Sequence, residues 1–74
     1  MSAKLLKSLA NNKCEIQNVI TGEVCIYWPE TKTLKSLIVR SGQQVDLLKY
    51  ATVAQLRKSS NLKQLVNDGH LRVL

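Results

Sequence analysis

The sequence has few of the side chains from which catalytic and metal sites are built. Its 74 residues include one histidine, His70, two cysteines with no Cys-x-x-Cys pair, and no glycine-rich phosphate loop. His70 follows a predicted helix end and has no carboxylate within helical or strand-pair reach. The five acidic residues fall on different predicted elements and suggest no catalytic pair or metal cluster: Glu15, Glu23, Glu30, Asp46 and Asp68. We therefore expect no enzyme activity, no metal and no cofactor.

Long apolar runs are also missing. No stretch of the sequence approaches the ~20 apolar residues that a membrane-spanning helix needs, so we expect no membrane contact. The start, MSAKLLKSLANN, has a short apolar run but neither the apolar core nor the small-residue cleavage site of a signal peptide.

Length and charge constrain the chain further. A single domain of this size buries only about 60% of its unfolded surface, so its core is marginal without disulfides, a metal or a partner surface. The net charge of +6 is spread over the whole chain. Such a balance favours an acidic partner, either nucleic acid or an acidic protein surface. Lysines that only keep the surface soluble are an equally good explanation.

A tetrapeptide, LKSL, occurs at residues 6–9 and 34–37, and LKQL follows at 62–65. Equal spacing of this kind is typical of solenoid repeats, in which each unit bends at the same place. The turn glycines Gly42 and Gly69 lie at different offsets from their tetrapeptides, however, so the chain is not a repeat. Each copy has to be interpreted from its own neighbours.

The clearest local pattern is KCEIQNVITGEVCIYWP, which predicts a β-hairpin with a bulged three-residue turn at Ile20-Thr21-Gly22. Pro29 is expected to end the second strand, because it cannot donate to a ladder. The predicted pairs are Asn18 with Val24, Ile16 with Ile26, and Cys14 with Trp28. These residues share a face that is apolar except for Asn18, and the other face carries Glu15, Gln17, Cys25 and Tyr27.

This register separates the two cysteines. They point to opposite faces and lie farther apart than the ~7 Å that a disulfide spans, so we expect two thiols. Cys14 belongs to the core, and Cys25 lies on the second face or at an interface. A reduced chain indicates a cytoplasm-like compartment.

Tyr27 and Trp28 are neighbours in a strand, so only one could join a base-stacking strip, and Trp28 fits the core better.

The remaining elements follow from turn and capping signals. Residues 34–40 and 45–48 are predicted strands around a turn at Ser41–Gln44, although Leu34 and Leu37 would also share one face of a helix. Thr52 and Gln55 have the spacing of a capping box. Ser60 is the predicted N-cap of a second helix with an apolar stripe, which stops at Gly69 before a strand that ends the sequence. That stripe is Leu62, Leu65 and Val66, and the last strand directs Leu71 and Val73 inward.

The N-terminal segment, residues 1–12, has Leu5, Leu6 and Leu9 on one side of a two-turn helix. Alone it is too short to be stable, so it docks either on its own core or, as an arm, on a neighbouring subunit. The predicted fold is mainly β (α+β): this arm, then a domain at residues 13–74. That domain is a small antiparallel β-sandwich or open barrel with two short C-terminal helices.

The second half of the chain also resembles a known group of proteins. An apolar run, a Gly turn and a Val-Asp-Leu strand precede a Ser-x-x-Leu-x-x-Leu helix, which is closed by Gly-x-Leu-x-Val. This order is similar to that of small accessory proteins of tailed bacteriophage particles, although Ser41 stands where that pattern usually has Pro. The matching residues are Gly42, Val45, Asp46, Leu47, Ser59, Leu62, Leu65, Gly69, Leu71 and Val73.

The resemblance implies a virion structural protein, assembled in the host cytoplasm. It would be a capsid-decorating or cementing subunit, or a neck or tail accessory subunit, binding other virion proteins in many copies with weak nucleic-acid contact through its basic residues. The residues expected at the interface are Leu5, Leu6, Leu9, Cys25 and Tyr27. The alternative is a small basic β-barrel module that binds nucleic acid.

Overall fold

The computed structural model describes residues 3–74, which form five antiparallel strands in two sheets, an N-terminal helix and short C-terminal helices. The predicted α+β fold class is therefore confirmed. In chain order the elements are α1 (Ala3–Ala10), β1 (Glu15–Asn18), β2 (Val24–Glu30), β3 (Thr33–Val39), β4 (Gln44–Asp46), a 3-10 turn (Leu47–Lys49), α2 (Val53–Arg57), α3 (Ser60–Asn67) and β5 (Leu71–Val73).

The first sheet has the order β4-β1-β5, with β1 in the centre. Ile16 of β1 lies opposite Val45 on one side and Val73 on the other. Ile16 and Val73 are buried. The sheet thus joins three segments that are distant in sequence around one apolar row.

The second sheet is a hairpin of β2 and β3, paired from Val24 opposite Val39 to Glu30 opposite Thr33. Its turn is Thr31-Lys32, where Thr31 has a positive φ of 52°. The predicted hairpin of β1 with β2 is wrong, because both edges of β1 are taken by β4 and β5. The predicted faces are correct nevertheless, since alternation sets the face of a residue whichever strand pairs with it. The buried residues are those expected: Cys14, Ile16, Asn18, Val24, Ile26 and Trp28.

Pro29 lies inside β2, opposite Leu34, and does not end the strand as predicted. The Tyr27 N–H points away from β3 and donates to Asn61 Oδ1 at 2.8 Å. Pro29, two residues later, directs its nitrogen to the same side. The ladder with β3 therefore loses no hydrogen bond at the proline.

The C-terminal half follows its capping signals closely. The Gln55 N–H donates to Thr52 Oγ1 at 3.2 Å, and the Thr52 N–H donates to Gln55 Oε1 at 2.9 Å, so the capping box is confirmed. The N-cap of α3 is Ser59 and not Ser60. Gly69 has the positive φ, 80°, of a helix stop.

The strand predicted at residues 45–48 is shorter than expected and covers Gln44–Asp46. The Asp46 side chain accepts the Leu48 N–H at 3.1 Å and caps the 3-10 turn, which ends the strand there. In the last strand, Leu71 and Val73 are buried, as predicted.

The N-terminal segment packs on the core of its own chain. Leu5 and Leu9 of α1 are 0% and 1% exposed, and the helix contacts α2 and β5. Of the two arrangements left open by the sequence, this structure has the docked one. The first two residues of the predicted arm lie outside the described range. None of the helices within residues 3–74 is long and apolar enough to cross a membrane.

Candidate interaction surface

The most distinctive surface of the molecule is the side of the β2–β3 hairpin that faces away from the core, here called the outer face. Three cross-strand pairs form it: Cys25 with Ile38, Tyr27 with Ser36, and Pro29 with Leu34. Leu34 is 70% exposed, Ile38 56% and Tyr27 43%. Large apolar side chains that are grouped in this way on a surface mark interaction sites more often than isolated ones do.

The sequence of β3 explains why this face exists. The strand TLKSLIV carries apolar residues in both alternating sets. Leu37 and Val39 pack on the core, which leaves Leu34 and Ile38 directed outward. A strand with one solvated face usually has polar residues on that face. The outer face of this hairpin instead carries exposed apolar residues.

The β2 edge of the hairpin is closed by the start of α3. Ser59 Oγ donates to the Tyr27 carbonyl, and Asn61 Oδ1 accepts the Tyr27 N–H. Ser59 Oγ also accepts the Leu62 N–H at 3.0 Å as the helix cap. Two side chains thus satisfy both backbone groups of Tyr27 and hold the hairpin against α3. Beside this contact lies a groove of about 350 Å³, lined by Tyr27, Trp28, Pro29, Leu34, Lys58, Ser59, Ser60 and Asn61.

The β3 edge of the hairpin is open. Because both backbone groups of Tyr27 point away from β3, the Tyr27–Ser36 pair is a non-hydrogen-bonded pair of the antiparallel ladder. The N–H and C=O groups of Ser36 then point away from β2. The same holds for Leu34 and Ile38, since alternate residues share this direction. Within residues 3–74, β3 pairs only with β2.

Basic residues lie on β3 and just beyond its ends. Lys35 and Arg40 each lie 4.0 Å from a glutamate of the β2 side, Glu30 and Glu23, and all four side chains are substantially exposed. Exposed pairs at this distance contribute little to stability. Lys32 is also exposed, at the hairpin turn.

Two groups have shifted pKa values. A side-chain hydrogen bond with Cys25 raises the pKa of Tyr27, with further contributions from the electrostatic effect of Cys25 and from desolvation. Burial raises the pKa of Cys14 to about 12, with a further contribution from the negative charge of Asp46. Both cysteines are free, Cys14 in the core and Cys25 half-buried on the outer face, which are the positions that the sequence predicts.

The residues predicted at an interface do not lie together. Cys25 and Tyr27 are neighbours on the outer face, but Leu5 and Leu9 are buried in the core and present no side chain to a partner. This corrects the prediction for those two leucines. Leu6 is 46% exposed, on a helix that packs on α2 and β5.

Leu34 and Ile38 were not among the predicted interface residues. The sequence does contain a signal for them, since Leu34, Ser36 and Ile38 alternate with the core-facing residues of the same strand. Alternation alone does not place Leu34 and Ile38 beside Cys25 and Tyr27. That neighbourhood follows from the turn at Thr31-Lys32, which pairs β3 with β2.

A second surface feature is a basic cleft between α1 and the end of β5. Three lysines converge on a space of about 320 Å³, and no acidic residue lines it. The lining residues are Lys4, Lys7, Ser8, Asn11, Lys13, Val73 and Leu74. Lysine side chains are among the groups that contact phosphate oxygens in protein–nucleic acid complexes.

Across residues 3–74, no three histidine, cysteine, aspartate or glutamate side chains lie close enough to hold a metal ion. Comparison of the chain with models of known protein families, with curated proteins and with solved structures finds no match.

Proposed function

We propose that this chain is a structural subunit of a bacteriophage particle and that it binds other particle proteins through the outer face. The observation that carries the binding role is the exposed apolar group formed by Tyr27, Leu34 and Ile38. The assignment to a phage particle rests on the sequence resemblance described above.

The size of the outer face suits a subunit that is present in many copies. A stable two-protein interface buries about 800 Å² on each side, and three exposed side chains on a two-stranded sheet supply only a part of that. Contacts of this size are individually weak, but they become strong when one assembly offers many of them at once. A particle shell or tail is such an assembly.

Binding is separable from folding in this proposal. Leu5 and Leu9 complete the core from within the chain, so the fold does not depend on a neighbouring subunit to cover them. The side chains of the outer face point away from the core and are not part of it. Substitutions there are expected to change assembly and leave the fold intact.

The test is incorporation of a tagged chain into particles as they assemble, measured by co-sedimentation and immunoblot. Leu34→Glu places a charge on the outer face and is expected to lower incorporation at least tenfold, with an unchanged melting temperature. Tyr50→Glu is the control, because it places the same charge at another large side chain that is exposed and does not belong to the outer face. Wild-type chain that stays in the supernatant, or Leu34→Glu that sediments like wild type, contradicts the proposal.

A nucleic-acid-binding module is the second candidate, and the basic cleft is the observation that favours it. Binding through phosphate contacts weakens with salt, with a slope of about −0.9 per contact in a plot of log affinity against log salt. Replacing Lys4, Lys7 and Lys13 with alanine is expected to reduce that slope by roughly 3 on duplex DNA if each lysine contacts a phosphate. Lys32→Ala, outside the cleft, serves as the control. Nanomolar binding that the triple variant abolishes favours this candidate over the first.

A further inference from the structure

The hairpin has two edges, and in the described part of the chain only the β2 edge has hydrogen-bond partners from other elements. The β2 edge is closed at Tyr27 by side chains of α3, as described above. The β3 edge presents the backbone groups of Leu34, Ser36 and Ile38, and no other strand of residues 3–74 pairs with it. An unpaired edge seven residues long is an aggregation hazard that folded proteins normally cover, shorten or charge.

From this asymmetry we infer that the open edge of β3 binds an extended segment of a partner protein as a third antiparallel strand, and that this segment alternates apolar and acidic residues. The inference rests on the proposed function, because it names how a partner reaches the outer face and what chemistry that partner has.

The backbone argument concerns the direction of the free groups. Leu34, Ser36 and Ile38 offer three N–H and three C=O groups in one row at the regular spacing of a strand. Strand addition uses such a row for affinity, while alternate side-chain positions provide specificity. Antiparallel addition continues the pairing that β2 and β3 already have, and antiparallel pairs are the commoner kind.

The side chains of β3 determine the chemistry of the added strand. Residues opposite Leu34, Ser36 and Ile38 join the outer face, where apolar side chains extend the group of Leu34 and Ile38. The alternate residues lie on the other face, beside Lys35. Lys35 is the charged residue among these alternate positions, and Lys32 and Arg40 lie just beyond the two ends of the strand. An acidic residue of the added strand opposite Lys35 therefore complements the edge, where the exposed Lys35–Glu30 pair at 4.0 Å contributes little by itself.

The same charges disfavour a second copy of this chain as the occupant. Two β3 strands paired antiparallel about Ser36 set Leu34 of one copy opposite Ile38 of the other. That register also brings Lys32 of one copy near Arg40 of the other, just beyond the ends of the paired strands, on chains that each carry a net charge of +6. Like charges brought close together oppose the pairing.

The experiment uses the full chain and a synthetic seven-residue peptide in which valine and glutamate alternate. We expect the peptide to shift the backbone amide NMR signals of Leu34, Ser36 and Ile38 and to slow their hydrogen exchange. A peptide with lysine in place of glutamate is expected to bind at least tenfold more weakly. Equal binding of the two peptides overturns the inference.

N-methylated peptides test the pairing without altering the protein. In the antiparallel arrangement, the residues opposite Leu34, Ser36 and Ile38 are the valines, and their N–H groups face β3. N-methylation of the valines is expected to abolish binding, and N-methylation of the glutamates to leave it. The reverse result, or no effect of either, contradicts antiparallel strand addition.

A protein variant provides a second, independent measurement. Ser36→Pro removes one edge N–H and is expected to weaken peptide binding at least fivefold, whereas Ser36→Ala keeps that N–H and should bind like wild type. The peptide series decides the question if Ser36→Pro fails to fold. Concentration-dependent dimerisation without peptide, lost in Ser36→Pro, points to a second copy and overturns the acidic-segment inference.

The outcomes distinguish this inference from the proposed function. If no peptide binds but Leu34→Glu still prevents incorporation into particles, the outer face binds without strand addition. If Leu34→Glu is incorporated normally, the proposed function fails whether or not the peptide binds.

Discussion

At the scale of single residues, Asn18 shows how alternation and hydrogen bonding combine. Its place in β1 puts it on a buried face among apolar residues, and it is 0% exposed. Its Nδ2 donates to the carbonyls of Gly22 and Val39 at 2.8 and 2.9 Å, and its Oδ1 accepts the Ile20 N–H at 2.9 Å. A buried amide with this many partners is not a defect in the core. It ties β1 to the connection that follows and to the end of β3.

Cys14 allows a prediction about alkaline pH. Its pKa rises from 9.0 to about 12 because it is buried, so below pH 9 the thiol is neutral in both folded and unfolded chains. Between about pH 9 and 12 the unfolded chain loses this proton and the folded chain keeps it. The free energy of unfolding should then fall by up to about 1.4 kcal/mol per pH unit from this group.

Urea unfolding followed by Trp28 fluorescence at a series of pH values measures this effect. Cys14→Val keeps an apolar side chain of similar size without the thiol, and it should lose stability less steeply above pH 9 than wild type does. Parallel decline of the two proteins over that range would show that Cys14 is not the group responsible.

At the scale of elements, the recurring tetrapeptide shows that the same local sequence adopts different secondary structures in different contexts. Residues 6–9 lie in α1, residues 34–37 in β3 and residues 62–65 in α3. The predicted assignments are correct for all three copies, because they were made from the flanking residues. The β-branched residues Ile38 and Val39 favour a strand, whereas a serine cap and a glycine stop enclose the third copy.

Ser59 is expected to matter more than its neighbour Ser60. Ser59 is 2% exposed, caps α3 and donates to the Tyr27 carbonyl, whereas Ser60 is an exposed first residue of the helix. Ser59→Ala should lower the free energy of unfolding by about 2 kcal/mol, from the lost cap and the unpaired carbonyl. Ser60→Ala should change it by less than about 0.5 kcal/mol.

Chemical denaturation of the two alanine variants in parallel decides between the caps. Equal losses of stability would mean that the Ser59 hydroxyl is not the anchor between α3 and β2. A larger loss for Ser60→Ala would mean that Ser60, the N-cap predicted from the sequence, is the residue that caps the helix.

At the scale of the whole molecule, the N-terminal helix decides how independent the fold is. As a free arm it could be altered without unfolding the rest of the chain, but Leu5 and Leu9 lie in the same core as Ile16, Ile26 and Leu47. A chain this small has little surplus stability, since typical values for whole domains are about 5–15 kcal/mol. The helix is therefore part of the fold and not an appendage.

Two leucines of that helix make a matched pair. Leu9→Ala removes a buried side chain and should lower the free energy of unfolding by about 3 kcal/mol, within the range for large-to-small core changes. Leu6→Ala, half-exposed on the same helix, should cost less than about 1 kcal/mol. Thermal unfolding of both variants measures the difference, and similar melting temperatures would argue for an undocked arm.

Local signals in the sequence were sufficient for much of this structure. Alternation placed Cys14, Ile16 and Trp28 inward and Tyr27 outward, and the Thr52–Gln55 box and Gly69 marked helix ends. These properties depend on a few adjacent residues, so they do not change with the way the rest of the chain folds. The candidate surface was predictable in part, at Cys25 and Tyr27, for the same reason.

Strand partners, and with them the complete surface, were decided only in three dimensions. Several strands of this chain have an apolar face, and which faces meet depends on the combination that buries the most apolar area over the whole chain. The combination found in this structure places β1 between β4 and β5, pairs β2 with β3 and packs α1 on the core. Leu34 and Ile38 came to lie beside an open edge because α3 covers the opposite edge of the same hairpin, and no window of a few residues contains that relation.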